Sequence, residues 1–554
     1  MTAAVLERPS TAKRLLGLGS VFGKSIRDAR RISIALGILY AVIVVAITRE
    51  VASEFDTVAR RQLMAAQLSA LPAVFQGMLG APVGIDRLGG FVSWRALNFL
   101  PVMYGIWAIV ALAGTLAGEL ASGSLDVVAS TPLARRRLAI EKVLAYLALL
   151  AVTVLIIVGA TFVATNAFGT LPGDATAPVA AAGEAVWLFL MILLPGAAAF
   201  AVAPFIGRGA ALGAGAVVLF ASFIVSAYAD TVRAFDAVRG ASYFALTSGH
   251  RPLSGTWDWP AVGVLAAATV ALLVAGIEAF ARRDLLVPSG GRLPLPRIRL
   301  WVIGPFSRGL GERFPAALAW GAFLGLFGIV LASSAGEFVA QIGKIPLMRE
   351  MITRFFPDAD ILSTAGFLQL AFFEDGILII GLAAAAFVGG WASDEGERRL
   401  EVVLAWPIGR FAWALRSAVS VLASIAVTTA LMVVAVAVGT AAQGDNPMET
   451  AVGVSIVGLY GMALAGIGLA VGGVVRPALA GPVTLVAGLG FFLFDLVGSI
   501  LKLPKEVLDL ALNRHLGQPM LGHPDGPGVA LCAAIAVGGV LLCALGMRRR
   551  DIGR

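Results

Sequence analysis

Charge and reactive side chains are scarce in this chain. Of its 554 residues, 14% are Asp, Glu, Lys or Arg and 59% are hydrophobic, with a mean hydropathy of +0.90. Soluble domains carry roughly 25% charged residues, which excludes a soluble globular protein. Two cysteines exclude a disulfide scaffold. Cys532 and Cys543 share one apolar run, about 16 Å apart along a helix, too far to bridge, and read as lipid- or core-facing filler. The three histidines, His250, His515 and His523, all fall in predicted outer loops. His515 and His523 flank "LGQPMLG", which is not a zinc spacing, and they read as surface histidines. No G-x-S-x-G or Cys/His arrangement points to an enzyme. A phosphate-binding loop is missing as well: in "GLGSVFGKS" (17–25) the glycine required five positions before Gly23-Lys24-Ser25 is replaced by Leu18. The first apolar stretch, Ile32 to Ile47, is followed by "TREVASEF" without a small-residue cleavage site, and reads as a retained span.

What the chain has in abundance is apolar runs long enough to cross a hydrocarbon core of about 30 Å. They occur around 32–48, 98–117, 138–166, 185–206, 210–229, 260–281, 314–333, 374–392, 412–440, 451–472, 478–500 and 527–547. The fold class predicted is an all-α polytopic membrane protein of about twelve transmembrane helices. With the N-terminus placed in the cytoplasm, about two-thirds of the 42 Lys and Arg residues fall in cytoplasmic segments, as the positive-inside rule requires. Both termini are then cytoplasmic, and topology accounts for the basic residues without a nucleic-acid surface. Before the first span, Phe22, Ile26 and Ala29 recur at helical spacing among basic residues, which predicts a helix lying in the inner interface.

Sliding the sequence on itself by 275 residues reveals a repeat. Pro132 then meets Pro407, Arg135 meets Arg410, and Glu119 meets Asp394, while "LDVV" (125–128) falls on "LEVV" (400–403). The expected organisation is two parallel six-span repeats, 1–285 and 300–554, joined by a linker at 286–299 rich in Pro, Gly and Arg. In each half, a polar cassette follows the second span on the cytoplasmic side. Its acids, Glu119/Asp126 and Asp394/Glu401, stand seven apart and so share one face of a helix. Leu125, Val128 and Ala129, like Leu400, Val403 and Leu404, make an apolar patch on part of the rest. Proline stops the helix and a basic residue anchors the next span. A duplicated acidic face predicts a duplicated cytoplasmic partner.

This layout resembles the permease subunits of type-2 ABC exporters, above all the double-length actinobacterial type described as antibiotic or multidrug (tetronasin-like, polyketide) exporters. The resemblance covers essentially the whole chain. It implies that the cassettes are coupling helices docking on two copies of a cytoplasmic ATP-binding subunit, through Glu119, Asp126, Pro132 and Arg135 in one half and Asp394, Glu395, Glu397, Glu401, Pro407 and Arg410 in the other. It also implies that ATP and Mg are bound by that partner, that this chain has no catalytic or metal site and binds no cofactor, and that hydrophobic or amphipathic compounds leave through the cell membrane. The first cassette departs from the double-acid pattern, reading "ELAS" at 119–122 where the second reads "DEGE" at 394–397.

Two acids fall inside the predicted spans. Glu278 has Arg282 one turn away and reads as an interface anchor, whereas Asp495 has no basic neighbour within a turn. Intramembrane acids are functional candidates, and Asp495 reads either as an interhelical hydrogen-bonding group or as a residue of the substrate path, with Phe491, Phe492 and Phe494 beside it. Gly114/Gly118 and Gly468/Gly472 predict close helix packing. The outer loops 49–97 and 334–373 contain helix-like stretches that read either as a cap or as plain interfacial helices. Competing readings are an ion-coupled secondary transporter and a membrane-embedded lipid-modifying enzyme.

Overall fold

The computed structural model describes residues 20–70, 76, 80–116, 134–229, 233–282, 304–342, 363–396, 400, 408–500 and 503–550. The chain forms two compact units, Met1–Leu293 and Pro294–Arg554.

In the first unit, α1 (Val21–Glu54) is followed by the short α2 (Val58–Ser69), α3 (Leu88–Val92), a π-helical turn at Ser93–Leu97, and α4 (Leu100–Thr115). Then come α5 (Arg135–Phe168), α6 (Pro178–Gly207), α7 (Ala211–Tyr228) and α8 (Trp259–Arg282). Gly207, at φ 78°, interrupts the helical path between α6 and α7 with a backbone geometry open to glycine. The second unit runs α9 (Pro305–Ile342), α10 (Thr364–Leu368), a π-helical turn at Gln369–Phe373, and α11 (Glu374–Gly396). It ends with α12 (Arg410–Ala442), α13 (Pro447–Val474), α14 (Pro477–Ile500) and α15 (Gly526–Arg549). A two-residue hairpin, β1 (Gly517–Gln518) with β2 (His523–Pro524), precedes α15.

Eleven of these helices are long and apolar enough to cross a membrane, and twelve when the bent pair Leu88–Leu97 and Leu100–Thr115 (43°) is one span. Each of the twelve apolar runs falls on one of them, and the protein is an all-α polytopic membrane protein. Two boundaries differ from the expectation. The basic stretch before the first span is continuous with it in α1, because no proline breaks 20–54 and Ser20 Oγ caps the helix by accepting from the Gly23 N–H. Span eight begins at Thr364 instead of 374, capped by Ser363 Oγ, so Glu374 and Asp375 lie well inside a spanning helix.

Packing follows one scheme in each unit. In the first, α1 packs on α5, and the 178–228 region packs on α4 and α8; in the second, α9 packs on α12, α11 on α14, and α13 on α15. Hydroxyls pin these contacts: Thr153 Oγ1 donates to the Ser33 carbonyl at 3.1 Å, and Thr428 Oγ1 to the Ala317 carbonyl at 3.1 Å. The most enclosed spans are α6, the 364–393 span carrying α11, and α13, with 72%, 72% and 67% of their apolar windows buried. Large apolar side chains left exposed on the outer helices, such as Ile38 and Val42 on α1 or Val537 and Leu541 on α15, suit contact with lipid tails.

The α13–α15 contact is a near-touch of backbones. A Cβ at Gly466 would stand 2.5 Å from the Ile535 carbonyl oxygen, one at Gly473 would stand 2.5 Å from Cys543 Cα, and one at Gly539 would overlap the Gly466 carbonyl. Such small-residue seams let spans associate through backbone packing. Gly539→Ala is therefore expected to destabilise by about 1–3 kcal/mol, read as a lower unfolding temperature in detergent. Its neighbour Gly538→Ala, with open space around its Cβ position, is expected to be neutral or slightly stabilising. Equal midpoints for the two variants would refute the seam. Gly468 and Gly472 pack instead on α14, against Thr484 and Ala480.

Candidate functional sites at the two ends of the spans

The cassettes lie at the ends of α4 and α11. Glu119, Asp126 and Pro132 of the first, and Glu397, Glu401 and Pro407 of the second, lie outside the described residues. Asp394 and Glu395 sit on the last turn of α11, and Leu400 is buried. Arg135 and Arg410 are the first residues of α5 and α12. Both are exposed, and Arg410 Nη1 donates to the Arg550 carbonyl at 3.2 Å.

Just above the second cassette, a buried polar cluster ties three helices. The Arg313 guanidinium on α9 donates from Nε to the Phe387 carbonyl on α11 (3.3 Å) and from Nη1 to Ser420 Oγ on α12 (3.2 Å). Trp391 Nε1 donates to Ser417 Oγ at 3.0 Å, and the Trp391 ring stacks on Trp413. At the matching end of the first unit, Glu278 pairs with Arg136 (2.6 Å) as well as the expected Arg282 (3.7 Å), while Glu141 accepts from the Phe22 N–H and Arg137. These pairs are largely exposed on the arginine side, and such pairs contribute little; the Arg313 cluster is buried and holds α9, α11 and α12 in one geometry. Lys24, the lysine of the P-loop-like stretch, lies in the first turn of α1.

At the opposite end of the first unit, two buried ionic groups order the connecting segments. Arg61 Nη1 and Asp174 Oδ1 are 2.5 Å apart, with side chains 1% and 2% exposed. Asp174 also accepts from the Leu88 and Leu171 N–H groups, and Arg61 also donates to the Phe55 carbonyl. One ion pair thus joins α2, the end of α1, the start of α3 and the loop before α6. Deeper, Glu184 on α6 is fully buried, and its Oε1 accepts from Ser93 Oγ in the π-helical turn at 2.9 Å. Arg251 lies over the Trp187 ring, 4.7 Å from its centroid, and donates to Asn98 Oδ1 at 3.1 Å. His250, expected at the surface, is instead fully buried against Trp257 and Trp259, and its Nδ1 accepts from the Asp258 N–H. That burial lowers its pKa below the ordinary histidine value.

The two units share a turn here that the 275-residue offset does not reveal. "RPLSGTWDWP" (251–260) and "QPMLGHPDGP" (518–527) align at an offset of 267. Each forms a 3₁₀ turn (Pro252–Ser254, Pro519–Leu521) closed by a left-handed glycine, Gly255 or Gly522, and by an antiparallel bridge, Arg251 to Thr256 or Gln518 to His523. Each docks near the start of the second span of its own unit. Ser254 Oγ donates to the Val83 carbonyl, and the Met520 N–H donates to Gln369 Oε1. The signal was in the sequence as paired Pro, Gly and Asp positions, hidden by an eight-residue difference in offset.

In the second unit, Asp495 is not the unpartnered charge its own helix suggests. Its Oδ1 lies 2.5 Å from Arg514 Nε and its Oδ2 accepts from Asn513 Nδ2 at 2.7 Å. Arg514 lies nineteen positions after Asp495 in the chain, and the fold of 503–525 closes the gap. Phe491, Phe492 and Phe494 are half-buried. Hydropathy set Glu374 and Asp375 at the outer edge of span eight. The structure sets Glu374 exposed and Asp375 half-buried on α11, which packs on α14, the helix that carries Asp495. Among the described residues no group of three or more His, Cys, Asp or Glu is arranged to hold a metal.

Residues 313–548 match the family model described as "Multidrug efflux system permease Rv1217c, C-terminal domain". The match covers most of the second unit and starts at the buried Arg313. A search of curated proteins finds no match.

Proposed function

We propose that this chain is the membrane-spanning subunit of an ABC exporter, moving hydrophobic or amphipathic compounds out of the cell with ATP hydrolysed by a separate subunit. The observation that carries the reading is the likeness of residues 313–548 to a multidrug efflux permease, joined to the polar cassette repeated after the second span of each half. The common order of elements in the two units, π-helical turn and 3₁₀ turn included, supports two related halves. In this reading two copies of the ATP-binding subunit dock on the two cassettes and carry the ATP and Mg. The protein sits in the cell membrane with both termini in the cytoplasm. A push on the second cassette enters α11, and the Arg313 and Trp391 contacts pass it to α9 and α12.

The test is ATP hydrolysis in lipid. The complex of this chain with its ATPase should hydrolyse ATP and be stimulated by exported compounds, and the isolated chain should not. Turnover by the isolated chain that persists in Lys24→Ala protein would sink the assignment. One observation favours the second reading, an ion-coupled transporter: Glu374 and Asp375 lie within a span, where such proteins hold coupling acids. Transport by the chain alone in proteoliposomes, driven by a pH gradient without ATP, would establish that reading instead.

A further inference from the structure

The acids on α11 face more than their own helix. Glu374 and Asp375 come directly after the π-helical turn Gln369–Phe373, and such turns, rare in helices, gather at functional sites because the extra residue re-aims the side chains beyond it. Neither carboxylate accepts a hydrogen bond or makes an ion pair among the described residues. The 364–393 span is nonetheless the most enclosed of the second unit, so the exposure of Glu374 is not that of a peripheral, lipid-facing helix. Among the described residues Asp495 adds a third carboxylate, paired with the Arg514 guanidinium.

A second observation is independent of the acids. Asn513 is only 7% exposed; its Nδ2 is held by Asp495, and its buried Oδ1 has no partner. An unsatisfied buried acceptor beside excess carboxylate leaves unmet demand for positive charge or for donors. On α14, Phe491 stands four residues and Phe492 three residues before Asp495, on the same helix face, and ring faces attract cations. No metal-holding arrangement is present among the described residues, and the aromatic neighbours suit an organic cation better than an inorganic one.

We propose that this end of the second unit, built from Glu374, Asp375, Asp495, Asn513, Phe491 and Phe492, is a recognition site for amphipathic organic cations. It rests on the permease reading by naming a substrate class for it. Arg514 pairs with Asp495, and the α11 acids add carboxylates beyond that pair.

The test is binding without ATP, on the full chain in phosphatidylcholine nanodiscs. The probes are tetraphenylphosphonium, a permanent cation, and the neutral triphenylphosphine oxide. The parent should bind tetraphenylphosphonium saturably, and Glu374→Gln/Asp375→Asn should bind it about tenfold more weakly or worse, with the neutral probe unchanged. Asp445→Asn, at an exposed turn, and Glu374→Asp, which keeps the charge, should bind as the parent does. Equal binding of the cation by the parent and the double variant overturns the site. So does an absence of saturable binding by the parent, or a loss in Glu374→Asp equal to that of the double variant. Because hydrolysis is not measured, failure here leaves the exporter reading standing, and failure of the ATPase test leaves this result untouched.

Discussion

Alanine at both Asp394 and Glu401 is expected to release the proposed ATP-binding subunit from the second half of the chain. The two acids stand seven residues apart in the sequence, a spacing that on a continuous helix would set both on one face. Truncating one partner of a desolvated, hydrogen-bonded charge pair at an interface costs about 2–5 kcal/mol, roughly 30-fold to several thousand-fold in affinity. Pull-down of the ATPase through this chain should fall accordingly, and substrate-stimulated hydrolysis should be lost. Glu119→Ala/Asp126→Ala should do the same at the first cassette. That half has "ELAS" where the second has "DEGE", fewer acids from which to draw pairs, so its loss should be the smaller. Undiminished recovery and coupling in the Asp394/Glu401 variant would show that these acids are ordinary solvated loop charges.

Breaking the Arg61–Asp174 pair is expected to be the most damaging single change to stability. Both side chains are almost fully enclosed, 1% and 2% exposed, and removing one member of a buried pair leaves the other charged and desolvated, about 3–5 kcal/mol. Asp174→Ala also orphans the Leu88 and Leu171 N–H groups, and Arg61→Ala frees the Phe55 carbonyl at the end of α1. Either variant should unfold at a markedly lower temperature in detergent and show faster hydrogen exchange at α2 and the 169–177 loop. The double change to a neutral pair of similar volume, Arg61→Met/Asp174→Leu, should recover much of the loss, because it removes both charges together. Wild-type unfolding and exchange in Asp174→Ala would show that the pair is not desolvated.

The sequence by itself determined the class of the protein and the order of its spans. A span must supply about 20 apolar residues in one stretch because the bilayer offers no partner for backbone groups. Hydropathy along the chain is therefore a direct record of topology, and each of the twelve runs falls on a helix. The cassettes are a reading of local pattern alone, from acids at seven-residue spacing, a proline stop and a basic anchor, and most of their residues lie outside the described ones. Local patterns failed wherever a partner came from afar. Asp495 looked solitary because Arg514 lies beyond the end of its helix, and Arg61 and Asp174 are separated by more than a hundred residues. His250 looked superficial because a Gly- and Trp-bearing turn reads as solvent-exposed until it is packed on α6. Span eight seemed to start at Glu374 because charge marks an interface in hydropathy alone. Only the π-helical turn, set by packing against neighbouring helices and the docked Met520 turn, carries the helix back to Thr364 and leaves two acids within it. Tertiary structure decided these points because pairing energy depends on distance in space, and a chain this apolar conceals its few charges until the helices have packed.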